Sequence, residues 1–184
     1  MNVNNSNVDS PCRSILQSTA TNGKLPRRFT AMVIALDMDG TLAGLYDVPN
    51  WLESIRNEDA TPYEVATPLC DVDALARALK LARSEGHTVE IVSWNCKGDI
   101  SPEYRRKVRK EKVNWLKQYG LLQEVDAVHV VKHGTPKSKV ASGQGVLFDD
   151  ETANREEWSS SGRGLAFDAV DLVARIEQVA RQCK

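Results

Sequence analysis

No apolar run in this 184-residue chain is long enough to span a bilayer, and no charged-then-apolar leader opens it, so neither membrane insertion nor secretion is expected. Cysteine is scarce. Cys12, Cys70, Cys96 and Cys183 show no paired spacing, and the three histidines do not fall near them in a zinc-ligand pattern, which argues against both a disulfide framework and a zinc site. Free thiols in a reducing cytoplasm are the expectation. Charge of one sign is lacking too: the formal net charge is -1, which argues against holding nucleic acid by overall attraction, though it leaves room for a local basic patch. With 41% hydrophobic residues the chain can bury one substantial core, and a second full domain is not expected.

What stands out is Asp37-Met38-Asp39-Gly40-Thr41, directly after the apolar run Met32-Val33-Ile34-Ala35-Leu36. The run reads as a buried parallel-sheet strand ended by a glycine turn, and ligands bind at the carboxyl ends of such strands. Two carboxylates this close repel each other unless a cation or a shared proton intervenes. The arrangement suggests metal-assisted covalent chemistry.

The rest of the chain alternates strands and helices, which predicts an α/β three-layer, Rossmann-like sandwich around a central parallel sheet. Residues 1–28, rich in Asn, Ser and Thr, read as a flexible extension, and residues 29–184 as the domain. Residues 42–66, with Pro49, Trp51, Pro62 and Tyr63, read as a short helix embedded in loops, a small cap inserted after the first strand. A helix is predicted from the Thr67 cap to about Glu85, with Val72, Leu75, Ala76, Leu79 and Ala82 as its apolar stripe, then a strand over 88–92. A second helix, about 101–119, carries Tyr104, Val108, Trp115 and Tyr119. Strands at 125–131, 145–148 and 164–167, a short helix opening at Thr135-Pro136-Lys137, and a last helix capped by Asp168 complete the pattern.

In parallel strands all carboxyl ends point one way, so Asp37 and Asp39, Ser93 and Asn95, Lys137, and Asp149 and Asp150 should gather on one sheet edge. Their order resembles the four motifs of the haloacid-dehalogenase-like (HAD) phosphohydrolases: Asp37-Met38-Asp39-Gly40-Thr41, Val92-Ser93-Trp94-Asn95, Lys137, and Leu147-Phe148-Asp149-Asp150. The resemblance covers about residues 31–168. It implies an aspartyl-phosphate mechanism with Asp37 as nucleophile and Asp39 as acid and base. Ser93, Asn95 and Lys137 would bind phosphate, with Lys139 the alternative lysine. Magnesium would be held by Asp37, by Asp39 through its main-chain carbonyl, and by Asp149 or Asp150. The other acid of the pair would orient Lys137 or a metal-bound water.

Thr41, Trp51, Trp94 and Arg155 are candidate substrate contacts, and Trp51, Tyr63, Trp94 and Trp158 are candidates for stacking on a base. Cys96 reads as a small buried thiol. The run Arg105, Arg106, Lys107, Arg109, Lys110 and Lys112 could meet a nucleic-acid backbone, but Glu103 and Glu111 interrupt it and it reads as a solvated face.

The position of the small insertion is similar to that of the 5′-deoxyribonucleotidase-like branch. The segments Leu45-Tyr46-Asp47-Val48-Pro49-Asn50-Trp51-Leu52 and Phe148-Asp149-Asp150-Glu151 look like small hydrolase-like proteins of bacteriophages. The expected partner is a small phosphorylated substrate, a nucleoside 5′-monophosphate first. The alternatives are a polynucleotide-end phosphatase and a non-catalytic interaction protein retaining the fold.

Overall fold

The computed structural model describes residues 31–181, so the expected extension at 1–28 lies outside the described residues. Five strands form one sheet: β1 (Val33–Leu36), β2 (Thr88–Trp94), β3 (Ala127–Val131), β4 (Gly145–Phe148) and β5 (Gly164–Phe167). They run in the order β3-β2-β1-β4-β5, and every pairing is parallel. The chain is an α/β protein with a Rossmann-like sheet, as the alternating pattern predicts. All four residues of β1 are buried, which is why they read as a continuous apolar run and not as an alternating one.

Six α-helices accompany the sheet among the described residues: α1 (Trp51–Arg56), α2 (Thr61–Val65), α3 (Val72–Ser84), α4 (Pro102–Gln118), α5 (Thr152–Ser160) and α6 (Leu172–Arg181). On one face, Leu75 and Leu79 of α3, Trp115 and Leu116 of α4 and Ile176 of α6 pack with Ile34, Leu36, Ile91 and Phe148 of the strands. On the other, Trp158 of α5 packs with Val33, Ala35, Val92 and Leu147. The alternation of residues along β1 between these two clusters is the period-2 signature of a strand buried on both sides.

Several boundaries differ from the sequence expectation, each for a local reason. The expected single short helix within 42–66 is two, α1 and α2. Helix α3 starts at Val72 because Asp71, not Thr67, caps it, accepting a hydrogen bond from the Ala74 amide. Thr67 instead gives its carbonyl to the Gly44 amide, tying the end of the insertion to its beginning. Asp168 likewise does not cap the last helix: its carboxylate accepts from the Val170 amide, and Asp171, at φ 53°, separates that turn from α6. The segment after Pro136 is one 3-10 turn, Lys137–Lys139.

The insertion has its own small core, in which Leu45, Ile55, Ala60 and Tyr63 pack on Tyr104 and Val108 of α4. Polar contacts reinforce the seam. Glu58 accepts hydrogen bonds from the Ser101 amide (2.7 Å) and hydroxyl (2.6 Å), and the Tyr104 hydroxyl donates to the Asp59 carbonyl. The insertion is thereby held over the carboxyl ends of the strands.

Candidate active site

Strand register brings the acids together. Leu36 is paired with Phe148 and Phe148 with Phe167, and the ladder runs one residue further, with the Asp37 amide donating to the Phe148 carbonyl and the Asp149 amide to the Phe167 carbonyl. Asp37 and Asp149 thus leave adjacent strands at the same level. Met38 turns into the core and leaves Asp37 and Asp39 on the site side. The chain then folds back, with the Met38 carbonyl accepting from the amides of Thr41, Leu42 and Ala43. Gly40 sits at φ 76°, and a Cβ there would collide with the Asp150 carboxylate, so only glycine fits both the turn and the approach of the second acidic loop.

Lys137 lies between two carboxylates, its Nζ 2.6 Å from Asp37 Oδ1 and 2.6 Å from Asp149 Oδ2. Lys139 is exposed, so the alternative lysine is not at the site. Burial pulls the Lys137 ammonium toward neutrality, but Asp37 and Asp149 outweigh it and hold its pKa above the ordinary lysine value. An ammonium has three hydrogens, and two are taken, which leaves one for an incoming oxygen.

The two acids of the pair are distinguished by their surroundings. Asp149 is fully buried and surrounded by donors: Lys137, the Asn154 amide group to both oxygens, and the Glu151 amide. Asp150 has the Thr41 hydroxyl at 3.3 Å, and its own amide donates back to that hydroxyl. Burial, then the charges of Asp37 and Asp149, push the Asp150 pKa up to about 6. Burial and Asp37 also raise Asp149, against the opposing Lys137. One ligand atom each from Asp37, Asp149 and Asp150 lies within 4.8 Å of the others. A divalent hard cation fits this set: it would relieve the like-charge repulsion that adds to burial in raising the Asp150 pKa, and Asp150 has the less occupied oxygens.

Lys112 is the residue that the sequence reading missed. It belongs to the run expected to be a solvated face, yet its side chain is fully buried, and Nζ donates to Asp39 Oδ2 at 2.6 Å, Ser93 Oγ at 2.9 Å and the Trp94 carbonyl at 2.8 Å. Its ammonium also lies 5.1 Å from the centre of the Tyr63 ring. A signal was present: Tyr104, Val108, Lys112 and Trp115 follow helical spacing, so the lysine interrupts the apolar stripe and not the polar face. A cation in that position needs a buried partner. All three of its hydrogens are engaged, so it orients Asp39 and Ser93. Burial raises the Asp39 pKa despite the Lys112 charge, with Asp37 adding to the rise.

Asp37, Asp39 and Ser93 form the floor of a cavity of about 690 Å³, with Lys112, Lys137 and Asp149 buried behind them. The insertion supplies its roof through Leu45, Tyr46, Trp51, Ile55 and Tyr63, and Trp94, Lys97 and His133 form part of the wall. Trp51 meets Tyr46 edge-on at 5.1 Å, and Trp94 packs on His133 at 4.6 Å while its indole N–H donates to the Thr135 carbonyl.

Other expected contacts are placed elsewhere. Arg155 donates to the carbonyls of Asp149 and Asp150, both at 2.7 Å, and to the Thr152 hydroxyl, bracing the acidic loop from outside the cavity. Thr41 serves Asp150 in the same sense and does not line the cavity. Asn95 reaches the cavity wall, but its amide group donates to the Arg105 carbonyl and its oxygen accepts from the Cys96 amide, so it fastens the end of β2 to α4. Trp158 is buried in the core beneath the sheet and cannot stack on a ligand. Cys96 and Cys70 are free and partly buried, with thiol pKa values pushed up by burial.

The fold and site define an α/β protein with an acidic pocket, backed by two buried lysines, at the carboxyl ends of its parallel strands. No protein-family model matches the chain, and no curated protein does. A solved structure of an uncharacterized protein from Corynebacterium glutamicum is similar at 16% sequence identity and a TM-score of 0.40, covering 80% of this chain and 95% of that one. No helix among the described residues is long and apolar enough to cross a membrane.

Proposed function

We propose that the protein is a magnesium-dependent phosphomonoesterase of the HAD type, working through an aspartyl-phosphate on Asp37, with a nucleoside 5′-monophosphate as its smallest natural class of substrate. The observation that carries this reading is Lys137, buried at 2.6 Å from both Asp37 and Asp149, behind a roofed cavity onto which Asp37 and Asp39 open. Magnesium, when bound by Asp37, Asp150 and the main-chain carbonyl of Asp39, would neutralise charge developing on the phosphoryl oxygens.

The chain's own groups account for the steps. Lys137 fixes Oδ1 of Asp37, and the remaining carboxylate oxygen attacks phosphorus while the ester P–O bond breaks. Asp39, with its raised pKa, delivers a proton to the departing oxygen. A water then loses a proton to Asp39 and attacks phosphorus, the bond to Asp37 breaks, and phosphate leaves. Lys137's remaining hydrogen and the Ser93 hydroxyl hold the phosphoryl oxygens. Trp51 and Tyr46 offer aromatic surface for a base.

A second reading, removal of phosphate from a nucleic-acid end, is favoured by a basic groove that adjoins the cavity. A purely structural role fits less well, because burying Lys112 and Lys137 among carboxylates gains little stability over an apolar core. Incubation with a phosphate-labelled monoester and magnesium should leave label on the wild-type protein and none on Asp37→Asn. Equal labelling of both would remove Asp37 as the nucleophile.

A further inference from the structure

Beside the main cavity lies a groove of about 310 Å³ whose wall includes Arg105, Arg106 and Arg109 of α4, and Lys132 and His133 after β3. Asn95, Cys96, Gly98 and His133 line both spaces, so the groove adjoins the site. Its titratable wall is basic apart from the Cys96 thiol, and no carboxylate lines it. Among the described residues none of the four lysine and arginine side chains has an ion-pair partner within 4.0 Å, and all four are exposed. The acids of the same helix are elsewhere: neither Glu103 nor Glu111 lines the groove, and Glu111 accepts from Asn114. Helical spacing explains the split, since 105, 106 and 109 share the face toward β3, while 104, 108, 112 and 115 face inward.

We infer that this groove is a subsite for the phosphodiester backbone of a single-stranded nucleic acid whose terminal phosphomonoester enters the main cavity. This rests on the phosphomonoesterase reading and narrows its substrate class. Unpaired cations converging beside an anion-hydrolysing site raise the local concentration of a polyanion and bind it by releasing its counterions. Arginine suits the task because its planar fork meets two phosphate oxygens at once. A mononucleotide fills the cavity and leaves the groove without a ligand. A strand fills both. The overall charge of -1 conceals this site, because the cations are concentrated on one wall.

The test has a binding arm and a turnover arm, both on the full chain. In EDTA, anisotropy of a fluorescent oligothymidylate carrying a 5′-phosphate should show affinity that falls with salt. Two engaged groove phosphates give a log–log slope of about -1.4. The triple variant Arg106→Gln, Arg109→Gln, Lys132→Gln should flatten that slope and weaken binding roughly tenfold or more. With magnesium, kcat/KM for the phosphorylated strand should exceed that for thymidine 5′-monophosphate by about tenfold, and the ratio should fall toward one in the triple variant. Equal kcat/KM for the two substrates, or a salt slope unchanged by the three substitutions, overturns the subsite while leaving the phosphatase reading intact. Equal binding of a polyglutamate of matching charge overturns its assignment to phosphodiesters. Absence of phosphate release from every substrate, with salt-dependent strand binding retained, overturns the phosphatase reading and not the groove.

Discussion

Replacing Lys112 with methionine separates its role from that of Lys137. The substitution keeps the length and apolar stem but removes three hydrogen bonds, to Asp39 at 2.6 Å, Ser93 at 2.9 Å and the Trp94 carbonyl at 2.8 Å. At an effective dielectric of about 20, the charge attraction between Lys112 and Asp39 at 2.6 Å is on the order of 6 kcal/mol, and desolvation offsets much of it. Breaking a buried pair from one side costs about 3–5 kcal/mol. Asp39 keeps 17% of its side-chain exposure and can take up a proton, which places the expected loss near the bottom of that range, at about 3 kcal/mol. Urea unfolding should read that loss directly, and the melting temperature should fall by roughly 6–12 °C. Turnover should fall by about 10²-fold through mispositioned proton transfer. KM should change little, because Lys112 has no hydrogen left for substrate. A variant that keeps wild-type kcat, or that loses activity through KM alone, would refute the positioning role.

Three further outcomes follow from the same geometry. Because burial raises the Asp150 pKa from 3.8 to about 6, the metal-free protein should hold its full Asp150 contribution to stability below pH 3.8 and lose it as pH rises through 6. Thermal melts in EDTA should show that slope, and Asp150→Asn should flatten it. The melting-temperature gain on adding magnesium should increase between pH 5 and about 7.5 and disappear in Asp150→Asn, since the ligand must be ionised. Gly40→Ala should cost about 1–2 kcal/mol for the positive φ alone and should also weaken the magnesium shift by displacing Asp150; a silent substitution would contradict the close approach of the two loops.

Much of this architecture was legible because the informative residues sit in short local patterns. An apolar run closed by Asp-Met-Asp-Gly places two acids at a strand end from sequence alone, and the parallel register then forces Asp149 beside Asp37. What escaped depended on distant contacts. Arg155 looked available for substrate because sequence does not show that the Asp149 and Asp150 carbonyls point back at it. Asn95 carried the right donor atoms, but their partners belong to α4. Lys112 was obscured by its charged neighbours Arg109, Lys110 and Glu111, which make the whole run read as solvated, although its helical phase with Tyr104 and Val108 sets it apart. The insertion was visible as a segment rich in Pro and aromatics, whereas its division into α1 and α2 and its seam with Ser101 and Tyr104 required the tertiary structure.

The most direct measurement is phosphate release by the purified full chain from a panel of nucleoside monophosphates, small sugar phosphates and phosphorylated oligonucleotide ends, with magnesium and with EDTA. Magnesium-dependent release is expected from at least the nucleotide members of the panel, and none by Asp37→Asn. Release that persists in EDTA, or no release from any member with magnesium present, would contradict that expectation.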